Sequence, residues 1–419
     1  MQSAMNAWQP ILRGEAADKA IELINTIAQE IPYPWDSPWK WGPELREPDS
    51  LAYGNAGVAL FFCYLAKAFQ NRKHGHTASL FLRDAICAAE EGQMQQGFEA
   101  GTSGIFWASQ HIKNCITLDG QVHCSFEEWD GRLLEWCQRA GQPAALADGL
   151  TGLCVYAAER MPNDSAEILL RAASSHVETI SEITSRGTAW HVSGCAEYEL
   201  CRSFPALTFA GRRYSTSVGY GVAGIVGGLL ATYLSGVRRD QTKPVIEGGV
   251  TWLLSHKCSA DFPQLFALLV GVELPHVSNG WYLGDPGVIA VILNAAIVLG
   301  RDDWYSTIVK DACATLPCNS NFSVFNLMSG SIGRAHICNR LFHMTGNDQF
   351  ADAAREWYLL ALESQDHKGL GRGVFGAVRK SQGLFRGTAG LGLGLLAAVS
   401  DVEPAWDRAF LASFRKSGA

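Results

Sequence analysis

Residues 281–287 read WYLGDPG, and the apolar run GVIAVILNAAIVLG follows from Gly287 to Gly300. A glycine-paired turn feeding a helix-length apolar run serves either as a working site or as a structural joint, and its copies elsewhere decide between them. The chain carries the arrangement seven times: GNAGVALFFCYLA from Gly54, GTSGIFWASQHI from Gly101, GLTGLCVYAAER from Gly149, GVAGIVGGLLATYL from Gly221, GDPGVIAVILNAA from Gly284, GSIGRAHICNRLF from Gly330 and GTAGLGLGLLAAV from Gly387. Each is GxxG followed by an apolar stretch. Successive first glycines lie 47, 48, 72, 63, 46 and 57 residues apart, a loose period long enough for two helices and their connections. WYLGDPG is thus one joint of a repeat that organises the whole chain.

Between the motifs, ASLFLRDAICAAEE, DSAEILLRAASSHVETISEI, PVIEGGVTWLLSH, DWYSTIVKDACATL and QFADAAREWYLLALES space their apolar residues by three and four, the pattern of amphipathic helices. Strand-like alternation is scarce. The motif helices are apolar nearly all round, which suits burial on every side, whereas the amphipathic partners suit an outer layer. The pattern predicts an all-α fold of seven helical hairpins in two concentric rings. Paired glycines let helix ends approach closely, and helix starts offer free backbone N–H groups to negative charge, so any site is expected at the centre. No Gly, Ser or Pro linker divides the chain, and residues 1–419 read as one domain. The long interval from Gly149 to Gly221 contains AWHVSGCAEYELCRSFPALTFAGRRYSTS, expected as an excursion that helps cover a pocket. IPYPWDSPWKWGPELREPDS, from Ile31, reads as a structured loop.

Composition narrows the function classes. Hydrophobic residues make up 47% and charged residues 18% of the chain, with 13 Trp, enough to fill a large interior. The net charge of −7 and the lack of long Lys or Arg runs argue against a phosphate-neutralising surface, so no nucleic-acid partner is expected. The first thirty residues lack a basic start and an apolar core, which predicts no secretion signal. The run from Gly284 is interrupted by Asp285 and Pro286 and falls short of the ~20 clean apolar residues that cross a bilayer. Twelve cysteines without a CxxC pair suit the reduced, packed thiols of a cytoplasmic protein rather than disulfides.

The phrases SLAYGNAGVAL, GLTGLCVYAAER, SVGYGVAGIVG, WYLGDPGV and LFRGTAGLGLGLL followed by AWDRAFL resemble the lanthionine synthetase C-like (LanC-like) family over nearly the whole chain. The resemblance implies an α/α toroid, a double ring of seven inner and seven outer helices. In the family's cyclases a zinc ion held by two cysteines and one histidine activates a substrate cysteine. Its thiolate adds to a dehydroalanine or dehydrobutyrine of a precursor peptide and closes a thioether ring. A thiol with pKa near ~8.5 is mostly protonated at neutral pH, so a sulfur-binding metal raises the thiolate fraction, and an acid must protonate the enolate left by addition.

This chain departs from that pattern at each functional position. Where the family writes WCYG, it has Trp281, Tyr282, Leu283 and Gly284; where the family writes CHG, it has Met328, Ser329 and Gly330. Phenol, thioether and hydroxyl are poor Zn²⁺ ligands beside thiolate and imidazole, so neither metal nor cofactor is expected. The family's HG of the fourth unit is Tyr220–Gly221, its aspartate before the third GxxG is Ala145, and its arginine before the fifth-unit Trp is Ser278. Asp148 stands beside Gly149 in a different register.

Tyr220 and Tyr282 are the candidate catalytic groups, since phenols can protonate or hydrogen-bond an enolate; alternatively, both rings fill space left by a metal. His276 reads either as a displaced acid or base or as a structural imidazole. The expected pocket lining is Asp148, Ser278, Trp281, Asp285, Met328 and Ser329, with Asp285 also expected to cap its helix. His191 and Cys195, with Cys201 further on, have metal-ligand spacing only if helical, whereas His336 and Cys338 would diverge on a helix. Cys63, Cys154 and Cys338 read as core.

The resemblance leaves two main functions open. One is a zinc-independent peptide cyclase acting on a ribosomally made, modified precursor peptide of the lanthipeptide type, through proximity, helix-end electrostatics and tyrosine acid catalysis. The other is a catalytically silent scaffold that binds the peptide together with a dehydratase or other modifying enzymes. A third is a toroid adapted to a different small substrate.

Overall fold

A computed structural model describes residues 7–33, 47–92, 94–118, 122, 124–193, 213–258, 264–272, 280–317, 324–366 and 382–415. Among the described residues, fourteen α-helices account for nearly all regular structure. In chain order they are α1 (Gly14–Glu30), α2 (Asn55–Phe69), α3 (Arg72–Glu90), α4 (Thr102–Cys115), α5 (Phe126–Cys137), α6 (Leu150–Glu159), α7 (Asp164–Thr179), α8 (Val222–Leu234), α9 (Arg239–Ser255), α10 (Asp285–Leu299), α11 (Asp302–Thr315), α12 (Ser331–Thr345), α13 (Asp348–Asp366) and α14 (Thr388–Val399). Even-numbered helices follow the GxxG motifs, and odd-numbered helices are their partners.

Burial separates the two classes as the sequence pattern requires. Every residue is buried from Asn55 to Leu65 in α2, from Asp285 to Ala296 in α10 and from Thr388 to Ala398 in α14. By contrast α1 buries only Ala20, Leu23, Ile24 and Ile27, and α11 only Trp304, Ile308 and Ala312. Spacings of three and four place these residues on one stripe, and each large apolar side chain buried there contributes roughly 1.5–3 kcal/mol.

The motif glycines act through steric room. The first glycine is the N-cap on extended backbone, with φ −138° at Gly54 and −103° at Gly387. A β-carbon at Gly54 would lie 1.8 Å from the Pro48 carbonyl oxygen, and one at Gly221 2.3 Å from that of Ser215. The second glycine meets the same constraint: 2.4 Å from Leu51 O at Gly57, 1.8 Å from Val218 O at Gly224 and 1.9 Å from Trp281 O at Gly287. GxxG is therefore the imprint of a turn folded back across the helix start, where any side chain would have to displace backbone.

That turn also takes up donors. In α2, Asn55, Ala56 and Gly57 N–H donate to the carbonyls of Pro48, Asp49 and Gly54 at 2.9, 3.3 and 3.1 Å. In α6, Leu150, Thr151 and Gly152 donate to Pro143, Ala144 and Gly149 at 2.9, 3.2 and 3.1 Å. The expectation of free helix-start N–H groups is corrected for these two helices. Their first-turn donors are satisfied locally, leaving only the partial positive charge of the helix dipole.

The chain groups into two compact units, one of residues 1–94, 108–124 and 316–406 and the other of 95–107, 125–315 and 407–419. In the latter, α6, α8 and α10 pack side by side in chain order, each against its partner α7, α9 or α11. In the former, α14 packs against both α12 and α2, and α1 lies on α14, so the last motif helix meets the first. One feature lacked a sequence signal: an antiparallel hairpin of β1 (Glu182–Thr184) and β2 (Gly187–Ala189) inside the long interval. It presses on α9 at Gly187, φ +129°, where a β-carbon would stand 2.4 Å from Gly248 O. Cys195 and Cys201, and residues 34–46 of the Pro- and Trp-rich loop, lie outside the described residues.

Candidate functional site

The seven turns that precede the motif glycines share one register. Two positions before the first glycine stand Ala52, Glu99, Ala147, Gly219, Tyr282, Met328 and Phe385, all buried. One position before it stand Tyr53, Ala100, Asp148, Tyr220, Leu283, Ser329 and Arg386, all at least partly exposed.

Backbone pairing explains the split. In the unit that holds α6, α8 and α10, Phe98 and Glu99 N–H donate to Ala147 O at 2.9 and 3.0 Å, and Ala147 N–H donates to Gly219 O at 3.1 Å. Val218 and Gly219 N–H then donate to Tyr282 O at 3.2 and 3.1 Å. In the other unit, Met328 N–H donates to Phe385 O and Phe385 N–H to Ala52 O, both at 2.9 Å. The turns are joined edge to edge through the residue two before the glycine, which fixes that side chain in the wall and presents its successor to solvent.

Tyr282, 1% exposed, is held on both sides. Its carbonyl accepts the two N–H groups just named, and its ring lies against Gly219, where a β-carbon would come 2.2 Å from Cζ. Tyr220 meets that ring edge-on, centroids 5.5 Å apart at 77°. Trp281 is also buried, stacked on Phe410 at 4.5 Å and edge-on to Tyr282 at 5.3 Å. Asp148 stands half-buried two turns along from Tyr282, beside Gly97. The structure therefore gathers Asp148, Tyr220, Trp281 and Tyr282 on three linked turns, of which only Asp148 and Tyr220 are partly exposed.

Asp285 requires a correction. The N-cap is Gly284, and Asp285 occupies the first helical position. Its carboxylate instead accepts Leu265 and Phe266 N–H, each at 2.8 Å, tying an incoming loop to the start of α10. The negative charge still favours the positive end of the helix, but both oxygens are engaged by structure.

Met328 and Ser329 belong to the other unit. Met328 is buried, and its sulfur accepts Arg386 Nε–H at 3.4 Å. Asn326 Oδ1 accepts Ser329 N–H at 2.8 Å and its hydroxyl at 3.3 Å. Neither unit offers zinc a fitting donor at these positions. The phenol of Tyr282 is packed on Gly219, and a guanidinium, which repels any cation, rests against the thioether. The serine hydroxyl serves its own turn. Among the described residues no group of three His, Cys, Asp or Glu side chains forms a metal site.

His276 and Ser278 lie outside the described residues. His191 bonds Glu182 at 2.7 Å and stacks on Tyr214, while His336 stacks on Trp406 at 4.5 Å. Arg386 and Tyr53 share the exposed register with Tyr220 and were missed; counting one residue back from every GxxG finds them. A cavity of about 440 Å³ opens elsewhere, at the C-terminal ends of α6 and α8, lined by Trp107, Glu159, Leu234 and Arg408 among others. It is a helix length from the turns.

The model of a family described as lanthionine synthetase C-like protein matches residues 46–411. Among solved structures, nisin cyclase is similar in fold, with a TM-score of 0.69 at 14% identity over 94% of this chain and 98% of that chain. No curated protein sequence matches. The fold class is the all-α, α/α toroid.

Proposed function

Because the chain belongs to the lanthionine synthetase C-like family, we propose that it is a peptide cyclase that closes thioether rings without zinc. The observation that carries this reading is Tyr220, a phenol in the exposed register of the motif turns, beside Asp148 on the next turn. The substrate is a dehydrated precursor peptide. Its cysteine sulfur bonds to the β-carbon of a dehydroamino acid, the displaced π electrons form an enolate, and Tyr220 O–H supplies the proton that the α-carbon gains. The thiol's proton restores the phenol, so mass is unchanged. Asp148, on the neighbouring turn, accepts and orients the S–H of the incoming thiol. Tyr282 is space-filling. This reading takes residues 1–419 as one working domain in the cytoplasm, where the peptide and its dehydratase would meet it; no helix among the described residues is long and apolar enough to cross a membrane.

A second reading, a silent peptide-binding scaffold, is favoured by the occupied donor positions at Tyr282, Met328 and Ser329. One experiment separates the two. Chelator-treated protein is incubated with a dehydrated, cysteine-containing precursor, and free thiol and mass are followed. The cyclase reading expects thiol loss at constant mass, with Tyr220→Phe slowing it by at least about a hundredfold. Tight binding without thiol loss establishes the scaffold, and a rate abolished by chelation refutes zinc independence.

A further inference from the structure

Away from the motif turns, Cys63 and Cys115 meet in one cluster. Cys63 sits mid-helix in α2, fully buried, while Cys115, partly exposed, is the last residue of α4, about 20 Å of helix from its GxxG. The two sulfurs are hydrogen-bonded to each other, and Cys115 is also bonded to His111, one turn earlier on the same face of α4. Tyr64, the neighbour of Cys63, bonds His111 Nε2 through its hydroxyl at 2.9 Å. Lys67 completes the set, its ammonium 5.5 Å from the Tyr64 ring centroid.

We propose that Cys115 and Cys63 are a redox-active dithiol, Cys115 attacking a low-molecular-weight disulfide and Cys63 resolving the product into a disulfide that joins α4 to α2. The Cys115 thiolate bonds to one sulfur of the small disulfide, whose other half leaves as thiolate. Cys63 then attacks the Cys115 sulfur, releasing the second half, and its proton goes to the departing thiolates. Two protein thiols and one disulfide become one protein disulfide and two small thiols.

The chemistry favours this order of attack. Hydrogen bonding to Cys63, joined by the His111 bond and the Lys67 charge, holds the Cys115 thiol well below its ordinary range against the effect of burial. The same bond, with burial, pushes Cys63 well above it. The negative end of α4 opposes a thiolate at Cys115, but one terminal dipole is a weaker influence than two charge-assisted hydrogen bonds. Cys87 is the internal control: it is exposed, yet burial of its sulfur and the nearby Glu90 and Asp84 raise its thiol.

The test treats reduced whole protein with limiting iodoacetamide, and separately with 2-hydroxyethyl disulfide, followed by non-reducing peptide mapping. Cys115 should alkylate about tenfold faster than the more exposed Cys87. The disulfide reagent should yield a Cys63–Cys115 cross-link, and Cys63→Ala should instead accumulate the mixed disulfide at Cys115. The proposal is overturned if Cys115 reacts no faster than Cys87, or if the wild-type protein stops at the mixed disulfide. Both of these outcomes are read on the wild-type chain, so neither depends on a variant folding.

Discussion

Tyr220 and Tyr282 are indistinguishable in the sequence, two tyrosines standing where polar or metal-binding groups were expected. One residue of register separates them. Tyr282 falls on the position whose backbone pairs with the preceding turn, and Tyr220 on its exposed successor. The candidate site was legible as a set of positions but not as accessible against inaccessible ones, because turn-to-turn pairing is a tertiary fact. The fit of Tyr282 against Gly219 can be tested without any substrate. Gly219→Ala forces a β-carbon to within 2.2 Å of Tyr282 Cζ, and a fully buried ring has little room to swing, so a loss of about 1–3 kcal/mol is expected. If the ring is the whole cause, the substitution becomes nearly neutral in a Tyr282→Leu background, a coupling that a double-mutant cycle on denaturant unfolding measures. Additive losses would place the cause elsewhere.

At the scale of elements, the helices were readable because their causes are local: period of burial, and glycines required by a backbone turn six residues earlier. The hairpin of residues 182–189 and the satisfied donors of α2 and α6 were not, since each depends on a partner that the local sequence does not reveal. The docking of the N-terminal segment is of this second kind. Trp8 stacks on His343 at 3.9 Å, Gln9 N–H donates to His343 Nε2 at 3.0 Å, and Asn339 O accepts His343 Nδ1–H at 2.9 Å. This geometry requires neutral imidazole with its proton on Nδ1, and burial lowers the His343 pKa from its ordinary 6.5. The folded state thus binds fewer protons than the unfolded state near that value, so stability from this contact is complete above about pH 6.5 and falls as pH drops through it. The protection of the residue 7–13 amides, each rate taken relative to its own intrinsic rate at that pH, should fall between pH 7 and 5, and His343→Gln should remove that fall. An equal fall in both proteins would exclude the histidine as the cause.

At the scale of the whole molecule, the repeat was visible in seven motifs, but a linear period does not say whether the array is open or closed. In an open array the terminal repeats contact one neighbour and fray first. Here the seventh motif helix packs on the first: Gly392 of α14 faces Phe61 of α2, where a β-carbon would stand 2.4 Å from the ring, and Gly57 of α2 faces Leu384, whose Cβ would be 2.8 Å away. Phe385 N–H donates to Ala52 O across the same pair of turns. Repeats at the two ends of the sequence therefore bury each other as internal repeats do, and chain position ceases to predict local stability. Native-state amide exchange gives the measurement. The central amides of α2 and α14 should match those of α8 in protection, to within about tenfold, because α2 and α14 pack on each other as α8 packs on its neighbouring motif helices. Gly392→Leu, which drives a side chain into Phe61, should lower protection in α2 and α14 together while α8 keeps most of its own. Protection that declines from the middle of the sequence toward both ends in the wild-type chain would show instead that the array behaves as an open one.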